Sequence, residues 1–569
     1  MSALLFFILC LYFLHPIPLD IQNGDLGRHL LLGKIIVNSG NVPLTNLISY
    51  TNTNYPFINT HWLSEVIFYL LYTVSGFNGL IILTAVLSVI TLALVFIPTI
   101  RKFDSFATIL ITLVYLQVYF ERTEVRPEVF SMLLLAIFIT ILYKYRKKYT
   151  RWIFTLIPLE LFWVNFHIYF FVGIVILLLF LLDAYFAKKE AFNSKKTLTL
   201  AFVTIAAGLV TLCNPNFING AVYPLLVLHN YGVSIQENDN FFLAMSLYKD
   251  PSFFFFGLSL IVLWLAIFFA RKKMTRIDIF LATFFTFMGI FAVRDFTLFV
   301  IGTFIPAVTA LSSLTTFISH KFQEEKVRFI KITFLIIVSL IFIPSIKADI
   351  DIHGIGLGVT DNARDAADFL LKNNLDGTIY NNFTIGSYLA YRLYPKEKVF
   401  VDGRPEAYPK EFFQNIYYPM QTSQTVFDQT ENKYNFNTIF LDYTDTSENQ
   451  LINQLLKSNT WKMIYLNSEI VIFVKNISTN QQIIKEQHID QNNVIINNAD
   501  MNNENKVRQL ANFFGTIGWE KQQLTMTLRY LQFNPKNCNA LETTAYLLQK
   551  SHDPRTFMYI NKYDQTCGN

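Results

Sequence analysis

Charge is what this chain has least of. Asp, Glu, Lys and Arg make up 15% of its 569 residues, where a soluble protein of this size carries roughly 25%. A mainly water-facing surface is thereby excluded. The net charge of +5 is small and sits mostly in short loops, and no nucleic-acid-binding motif is present, so no nucleic acid is expected as a partner. Neither an HExxH sequence nor a zinc-type cysteine pair occurs. There are four cysteines. Cys10 and Cys213 lie in apolar segments. Cys538 and Cys567 near the C-terminus either pair, if that region is outside the cell, or stay as free or buried thiols; spacing does not decide. The chain opens without a basic region or a small-residue cleavage site, so its first apolar segment reads as a retained span and not a removable leader. No internal repeat is found, which argues against the two-fold build of many transporters.

What is present is apolar. Hydrophobic residues make up 53%, with 56 Phe, and mean hydropathy is +0.36. Runs long enough to cross about 30 Å of hydrocarbon fall at 2–19, 78–100, 105–121, 127–143, 152–167, 168–187, 197–213, 252–270, 277–293, 296–318 and 329–346. The expectation is a mostly α, polytopic membrane protein of about eleven spans over 1–346, with a first outer loop at 20–77. The segment 62–75 is read as an interfacial amphipathic helix anchored by Trp62 and Tyr69, with Glu65 on its polar side. With that choice the basic loops (Arg101 and Lys102; Lys144 to Arg151; Lys188 to Lys196; Arg271 to Arg276; Lys321 to Arg328) fall on one side. The positive-inside rule makes that side cytoplasmic, puts the N-terminus inside and everything after 346 outside. The opposite ends carry acids, bases and amides instead: Asp25, Arg28, His29, His61, Glu65, Arg122, Arg126, Asn165, His167, Glu237 and Arg294. Ionisable groups at membrane depth are costly and face cavities or partners. A polar cavity at the outer leaflet is expected.

Several of these stretches form a recognisable series. They are GDLGRHLLLGKIIVNSGNVPLTNLISYTNTNYPFINTHWLSEV (Asp25, His29, Gly33, Pro43, Asn46, Ser49, Tyr50, Thr51, His61, Trp62, Leu63, Glu65), VRPEVFSMLL, WVNFHIYFFVG, NPNFINGAVYP, AVRDFTLFVIGTFIP and GTIYNNFTIGSYLAYRLYPKEKVFVDGRPEAYP. In order and placement, over about residues 1–475, the series resembles the bacterial GT-C glycosyltransferases. The resemblance implies a multi-span enzyme taking a sugar from a polyprenyl-phosphate or polyprenyl-diphosphate carrier. The sugar passes to a glycan, lipid or protein acceptor outside the membrane, as in oligosaccharyltransferases, protein mannosyltransferases and the aminoarabinose transferases of lipid A. It also implies a bacterial inner-membrane location and an acidic base, or acceptor-orienting group, in the first outer loop. The Asp-x-Asp of metal-dependent members is missing. No cofactor is therefore required by the pattern, and use of a divalent metal stays open.

Glycosyl transfer needs a base, cations for the departing phosphate, and little water. Asp25 is the candidate base, since desolvation at an interface raises a carboxyl pKa. The same residue also suits the N-cap of the following helix. Arg28, Arg126 and Arg294 are the candidates for phosphate, which a guanidinium fork matches. The plainer roles are an ion pair of Arg294 with Asp295 or another acid, and of Arg126 with Glu121 or Glu124. His29, His61, Glu65, Asn165, His167 and Glu237 are assigned to substrate binding or to shaping the site. His61 and Glu65, four apart, could share a metal with His29 and His167, although structural hydrogen bonds explain them as well.

Residues 347–476 alternate helical and strand patterns and read as a small extracytoplasmic α/β domain. KVFVDGR is among its expected strands. Asp402 and Arg404 at that strand's end either contact a ligand or pin the domain to the membrane part. Residues 477–504, rich in Asn and Gln, read as a polar linker, and 505–569 as a helical region resembling a tetratricopeptide hairpin, which leaves room for a protein partner. The competing reading is a non-catalytic scaffold binding lipid-linked glycan, favoured by the missing second acid. Asp25, His29, His61, Glu65 and Arg294 together favour the enzyme.

Overall fold

The structure, a computed structural model, describes residues 17–568 apart from 23, 121–123, 187–193, 249, 322–323, 354 and 376. The expected span 2–19, save its last residues, lies outside the described residues, as do Cys10, Glu121, Arg122, Lys188 and Lys189. The chain divides into two compact units. The larger holds His29–Leu44 and Ile58–Val359; the other holds Asp20–Arg28, Thr45–Phe57 and Thr360–Asn569. The first loop is thus shared between them.

The larger unit is a helical membrane body. Its helices are α1 (Leu26–Ser39, whose first residues belong to the other unit), α2 (Trp62–Ile100), α3 (Ser105–Phe120), α4 (Glu128–Lys147), α5 (Leu156–Phe166), α6 (Phe170–Tyr185) and α7 (Lys195–Val210). They continue with α8 (Phe217–Asn230), α9 (Phe241–Leu247), α10 (Pro251–Ala270), α11 (Arg276–Phe291), α12 (Phe296–Lys321) and α13 (Glu324–His353). Among the described residues four helices, beginning at Trp62, Glu128, Pro251 and Val293, are long and apolar enough to cross a membrane, and α3, α6 and much of α8 are shorter apolar helices. The chain is a multi-pass, mostly α membrane protein. The segment 62–75 is a helix of its own that continues into the 78–100 span across a break at Gly76, whose φ of 61° suits glycine. The helices α8 and α9 have no counterpart among the expected spans; their apolar runs are interrupted by Asn, Pro and Gly. Phe256, Phe285, Phe296 and Phe299 are buried between α10, α11 and α12, so part of the Phe content packs the core and does not face lipid.

The second unit is α/β. It contains α14 (Arg364–Lys372), β1 (Thr378–Asn381), α15 (Phe383–Leu393), α16 (Gln424–Tyr434), β2 (Phe436–Asp442), α17 (Asn449–Lys457), β3 (Trp461–Leu466) and β4 (Ile470–Lys475). The sheet order is β1–β2–β4–β3, with β1 parallel to β2 and the other pairs antiparallel. Buried apolar residues run along β2 and β4, as central strands require. The expected strand at KVFVDGR does not join this sheet. Val399 instead makes an isolated bridge to Ser49, and Ser49 Oγ donates to Phe400 O at 3.0 Å. Its partner is a remote piece of the first loop, which local sequence cannot announce. Residues 477–504 contain two short helices, Gln481–Gln487 and Asn498–Met501. Four further helices follow: α18 (Glu504–Thr516), α19 (Glu520–Phe533), α20 (Cys538–Lys550) and α21 (Thr556–Cys567), each packed on the next. Cys538 and Cys567 are disulfide-bonded.

Candidate active site

Within the membrane unit, a line of polar side chains runs across several elements. It begins in α1, where His29 is placed one turn before Gly33. A side chain at Gly33 would put its Cβ 2.1 Å from the backbone oxygen of Glu65, so glycine lets α1 lie directly on α2. The close approach brings His29 Nδ1 to 3.0 Å from Glu65 Oε1, both buried. Asn59 donates to Glu65 Oε2 at 2.6 Å, and its own Oδ1 accepts the His61 backbone N–H at 3.0 Å. Glu65 lies in the first turn of α2, where a negative charge meets the positive end of the helix dipole.

The line continues through ring contacts. His61 lies 5.6 Å from His29 and 5.1 Å from His167, centroid to centroid. His167 follows the last residue of α5 in extended conformation, and its Nδ1 is 3.0 Å from Ser131 Oγ, which also accepts from Trp163 Nε1 at 2.8 Å. Tyr169 stacks edge-on against His167 and donates to Asp295 Oδ1 at 2.6 Å. Asn165 ties α5 to α2 by accepting from Trp62 Nε1 at 2.7 Å.

The two candidate phosphate-binding arginines of this unit are held by acids and amides from other elements. Arg126 Nη1 donates to Glu237 Oε1 at 2.7 Å and its Nε lies 2.7 Å from Glu124. Arg294 Nη1 donates to Asn238 Oδ1 at 3.1 Å, and its Nη2 lies 3.8 Å from Glu128 Oε1. Glu128 is thus an acid beside Arg294 other than its neighbour Asp295, which accepts from the Tyr169 hydroxyl. Among the described residues, buried Arg294 Nε has no hydrogen-bond partner.

Asp25 and Arg28 belong to the second unit. Arg28 Nε lies 2.9 Å from Asp25 Oδ1. Gly27 at the start of α1 meets α15: an added Cβ there would be 2.9 Å from Ser387 O. The turn after Val401 is built on a buried pair. Arg404 donates to both carboxylate oxygens of Asp402, at 2.6 and 2.8 Å, and to Asn46 Oδ1 at 2.8 Å, while its guanidinium lies 4.7 Å from the Phe57 ring centroid. Tyr408 OH also donates to Asp402 at 2.7 Å. Asp402 and Arg404 therefore fasten the turn to the 45–57 piece of the first loop. Glu406, two residues on, interacts electrostatically with Arg28, Arg404 and Asp25, and burial pushes its carboxyl above the ordinary carboxylate range.

Of the residues expected from sequence, His29, His61, Glu65 and His167 form one connected line, Arg126 meets Glu237, and Asn165 meets Trp62. Asp25 and Arg28 form a separate pair. Asn59, Glu128, Ser131, Tyr169 and Glu406 were missed. Asn59, Glu128 and Tyr169 stand within two residues of His61, Arg126 and His167, so adjacency to the singled-out positions was their available signal. Among the described residues, no three His, Cys, Asp or Glu side chains are disposed to hold a metal ion.

A helical membrane body and an α/β unit make up the GT-C fold. The archaeal oligosaccharyltransferase AglB from Archaeoglobus fulgidus, solved in complex with an inhibitory peptide and a dolichol-phosphate, shares it. That structure is similar over 93% of this chain and 86% of its own, with TM-score 0.57 and 11% identity. ArnT from Cupriavidus metallidurans bound to undecaprenyl phosphate matches 84% of this chain and 98% of its own, with TM-score 0.49 and 11% identity. The mycobacterial arabinofuranosyltransferase AftD, as the R1389S mutant, matches 83% and 41%, with TM-score 0.49 and 10% identity. No family model and no curated protein matches the sequence.

Proposed function

We propose that the chain is a glycosyltransferase that takes a sugar from a polyprenyl-phosphate or polyprenyl-diphosphate carrier. It passes the sugar to a glycan, lipid or protein acceptor on the outer face of a bacterial inner membrane. The observation that carries this reading is the fold, shared over 93% of the chain with an oligosaccharyltransferase whose structure holds a dolichol-phosphate. Asp25 is the base or the acceptor-orienting acid, and Arg28 is its guanidinium partner. Arg126 and Arg294 are assigned to the lipid phosphate; the unpartnered Arg294 Nε supports this, because an unmet buried donor is uncommon. The line from Glu65 to Tyr169 fixes the histidine rings and orients the loops that carry them. The sugar leaves the carrier oxygen with its bonding pair remaining on the phosphate, and the acceptor's proton passes to Asp25. Basic loops support a cytoplasmic N-terminus, and the Cys538–Cys567 disulfide fits an oxidising space for the C-terminal helices. Those helices would offer a protein acceptor or partner its contact.

The test uses purified protein in nanodiscs with radiolabelled polyprenyl-phosphate sugars, following loss of sugar from the lipid, with and without EDTA. Wild type should turn over; Asp25→Asn and Arg294→Ala should each lose about 100-fold or more, the usual scale for a general base or a key electrostatic contact. Donor binding without turnover, unchanged by Asp25→Asn, would favour the scaffold reading instead. Its supporting observation is that the Asp25 carboxylate is already paired with Arg28.

A further inference from the structure

Arg126 and Arg294 are both held from one short piece of chain, the turn Gln236–Asn238. Adjacent residues of that turn treat them differently. Glu237 puts an acid on Arg126, its Oε1 accepting from Nη1 at 2.7 Å, and Glu124 adds a second acid 2.7 Å from Nε. Asn238 puts a neutral amide on Arg294, its Oδ1 accepting from Nη1 at 3.1 Å. The turn is fastened to the arginine it serves. Val293 N, one residue before Arg294, donates to Asp239 O at 3.1 Å, and Asp239 Oδ2 accepts from Tyr248 OH at 3.1 Å. Asn238 is therefore fixed on Nη1 through the backbone beside it.

The consequence lies at the other edge of the guanidinium. Among the described residues, Arg294 Nε has no hydrogen-bond partner, and Glu128 Oε1 stands 3.8 Å from Nη2, beyond hydrogen-bond reach. Nε and Nη2 form one side of the fork and match two oxygens of a single phosphate. The side chain keeps 23% of its surface exposed, so the group is not sealed in the core.

We propose that Asn238 is a positioning residue for the donor phosphate: it anchors Arg294 through Nη1 without cancelling its charge, and so keeps the Nε–Nη2 edge available to one phosphate group. This rests on the glycosyltransferase reading. An amide and a carboxylate at 238 make the same hydrogen bond to Nη1 and differ in charge. A carboxylate there closes Arg294 into an ion pair, as Glu237 and Glu124 do for Arg126, and repels an incoming phosphate. The amide orients the fork and leaves its charge unmet. Orientation and charge are separable at this position, so an isosteric change tests the role.

The test measures dissociation constants for farnesyl phosphate, a short polyprenyl phosphate, and for the uncharged alcohol farnesol. Calorimetry is run on the whole chain in detergent micelles, and each variant's melting temperature is recorded. Asn238→Asp should bind farnesyl phosphate about 10-fold or more weakly, because a like charge beside the anion opposes it, and should bind farnesol as wild type does. Asn238→Ala loses the hydrogen bond and adds no charge, so it should stay within about fivefold of wild type. Glu128→Gln removes the acid near Nη2 and should tighten farnesyl phosphate binding about twofold or more, a gain that a folding defect does not mimic. Asn238→Asp binding like wild type, or Asn238→Ala losing as much as Asn238→Asp, overturns the proposal. If Asn238→Asp does not fold, unchanged affinity in Glu128→Gln overturns it. In each of these cases, loss of binding in Arg294→Ala leaves the phosphate assignment of Arg294 standing. Wild type that binds farnesyl phosphate no better than farnesol overturns that assignment and the proposal together.

Discussion

Gly33→Ala tests whether the contact of α1 with α2 organises the histidine line. The new Cβ would lie 2.1 Å from the Glu65 carbonyl oxygen, 2.7 Å from its carbon and 2.8 Å from Tyr69 Cβ. Non-bonded heavy atoms rest at about 3.5 Å, so the helices must separate by roughly 1 Å or more. His29 and Gly33 are four apart and share a helix face, so the same shift stretches the His29–Glu65 contact from 3.0 Å past the limit of a hydrogen bond. Overpacking costs about 1–3 kcal/mol, and loss of a buried hydrogen bond to a charged group about 1.5–3 kcal/mol. The sum, about 2.5–6 kcal/mol, should lower Tm by about 2–5 °C at this chain size. Tryptophan-fluorescence melting in detergent measures it. The paired control is Gly208→Ala in α7, where an added Cβ meets nothing within 4 Å. There, a better helix former should leave stability unchanged or raise it by up to about 1 kcal/mol. Equal melting of Gly33→Ala and wild type would refute the claim that this glycine sets the contact.

Three further outcomes are expected. The buried Glu448 accepts from Gln421 at 2.7 Å, and its carboxyl is pushed from an ordinary 4.5 to about 8 by burial and then by Asp445. A raised carboxyl pKa makes the fold most stable below pH 4.5, with stability falling by about 1.4 kcal/mol per pH unit through the window up to pH 8. Glu448→Gln should flatten that fall in melts at pH 5 and pH 8.5, and an unchanged slope would dismiss the assignment. Cys538→Ser opens the loop closed by a pair separated by 29 residues. It should cost the C-terminal helices about 2–4 kcal/mol, seen as faster proteolysis of residues 504–569 that reductant reproduces in wild type. In α5, Glu160 is buried, and neither of its carboxyl oxygens has a hydrogen-bond partner among the described residues. Glu160→Leu should therefore raise melting stability by about 1–3 kcal/mol; a lower Tm would show that the carboxyl has a partner.

Much of the fold is legible without coordinates, for a physical reason. A bilayer demands long apolar runs with internally bonded backbone, so the segments around α2, α4, α10 and α12 declare themselves by composition. Strands β1 to β4 and helices α14, α15 and α17 declare themselves by period. KVFVDGR shows the limit of period. Its β-branched alternation describes a chain able to pair, and the partner it found, Ser49, lies 350 residues away in the first loop. The helices α8 and α9 were missed because their apolar runs are short and broken.

By itself, the sequence determined the residue kinds: few charges, an acid and an arginine at the start of α1, histidines and arginines at the span ends, and glycines at 33 and 403. Those depend on covalent chemistry and on how each segment partitions between water and lipid. Only the tertiary structure decided which of them meet. It placed His29 on Glu65, gave Asp295 to Tyr169 and left Arg294 Nε open. It also set Asp25 against Gly403, a residue 378 positions along the chain. Hydrogen bonds and ion pairs act over a few ångströms of space irrespective of sequence separation, so chain order carries no record of them until the backbone has folded.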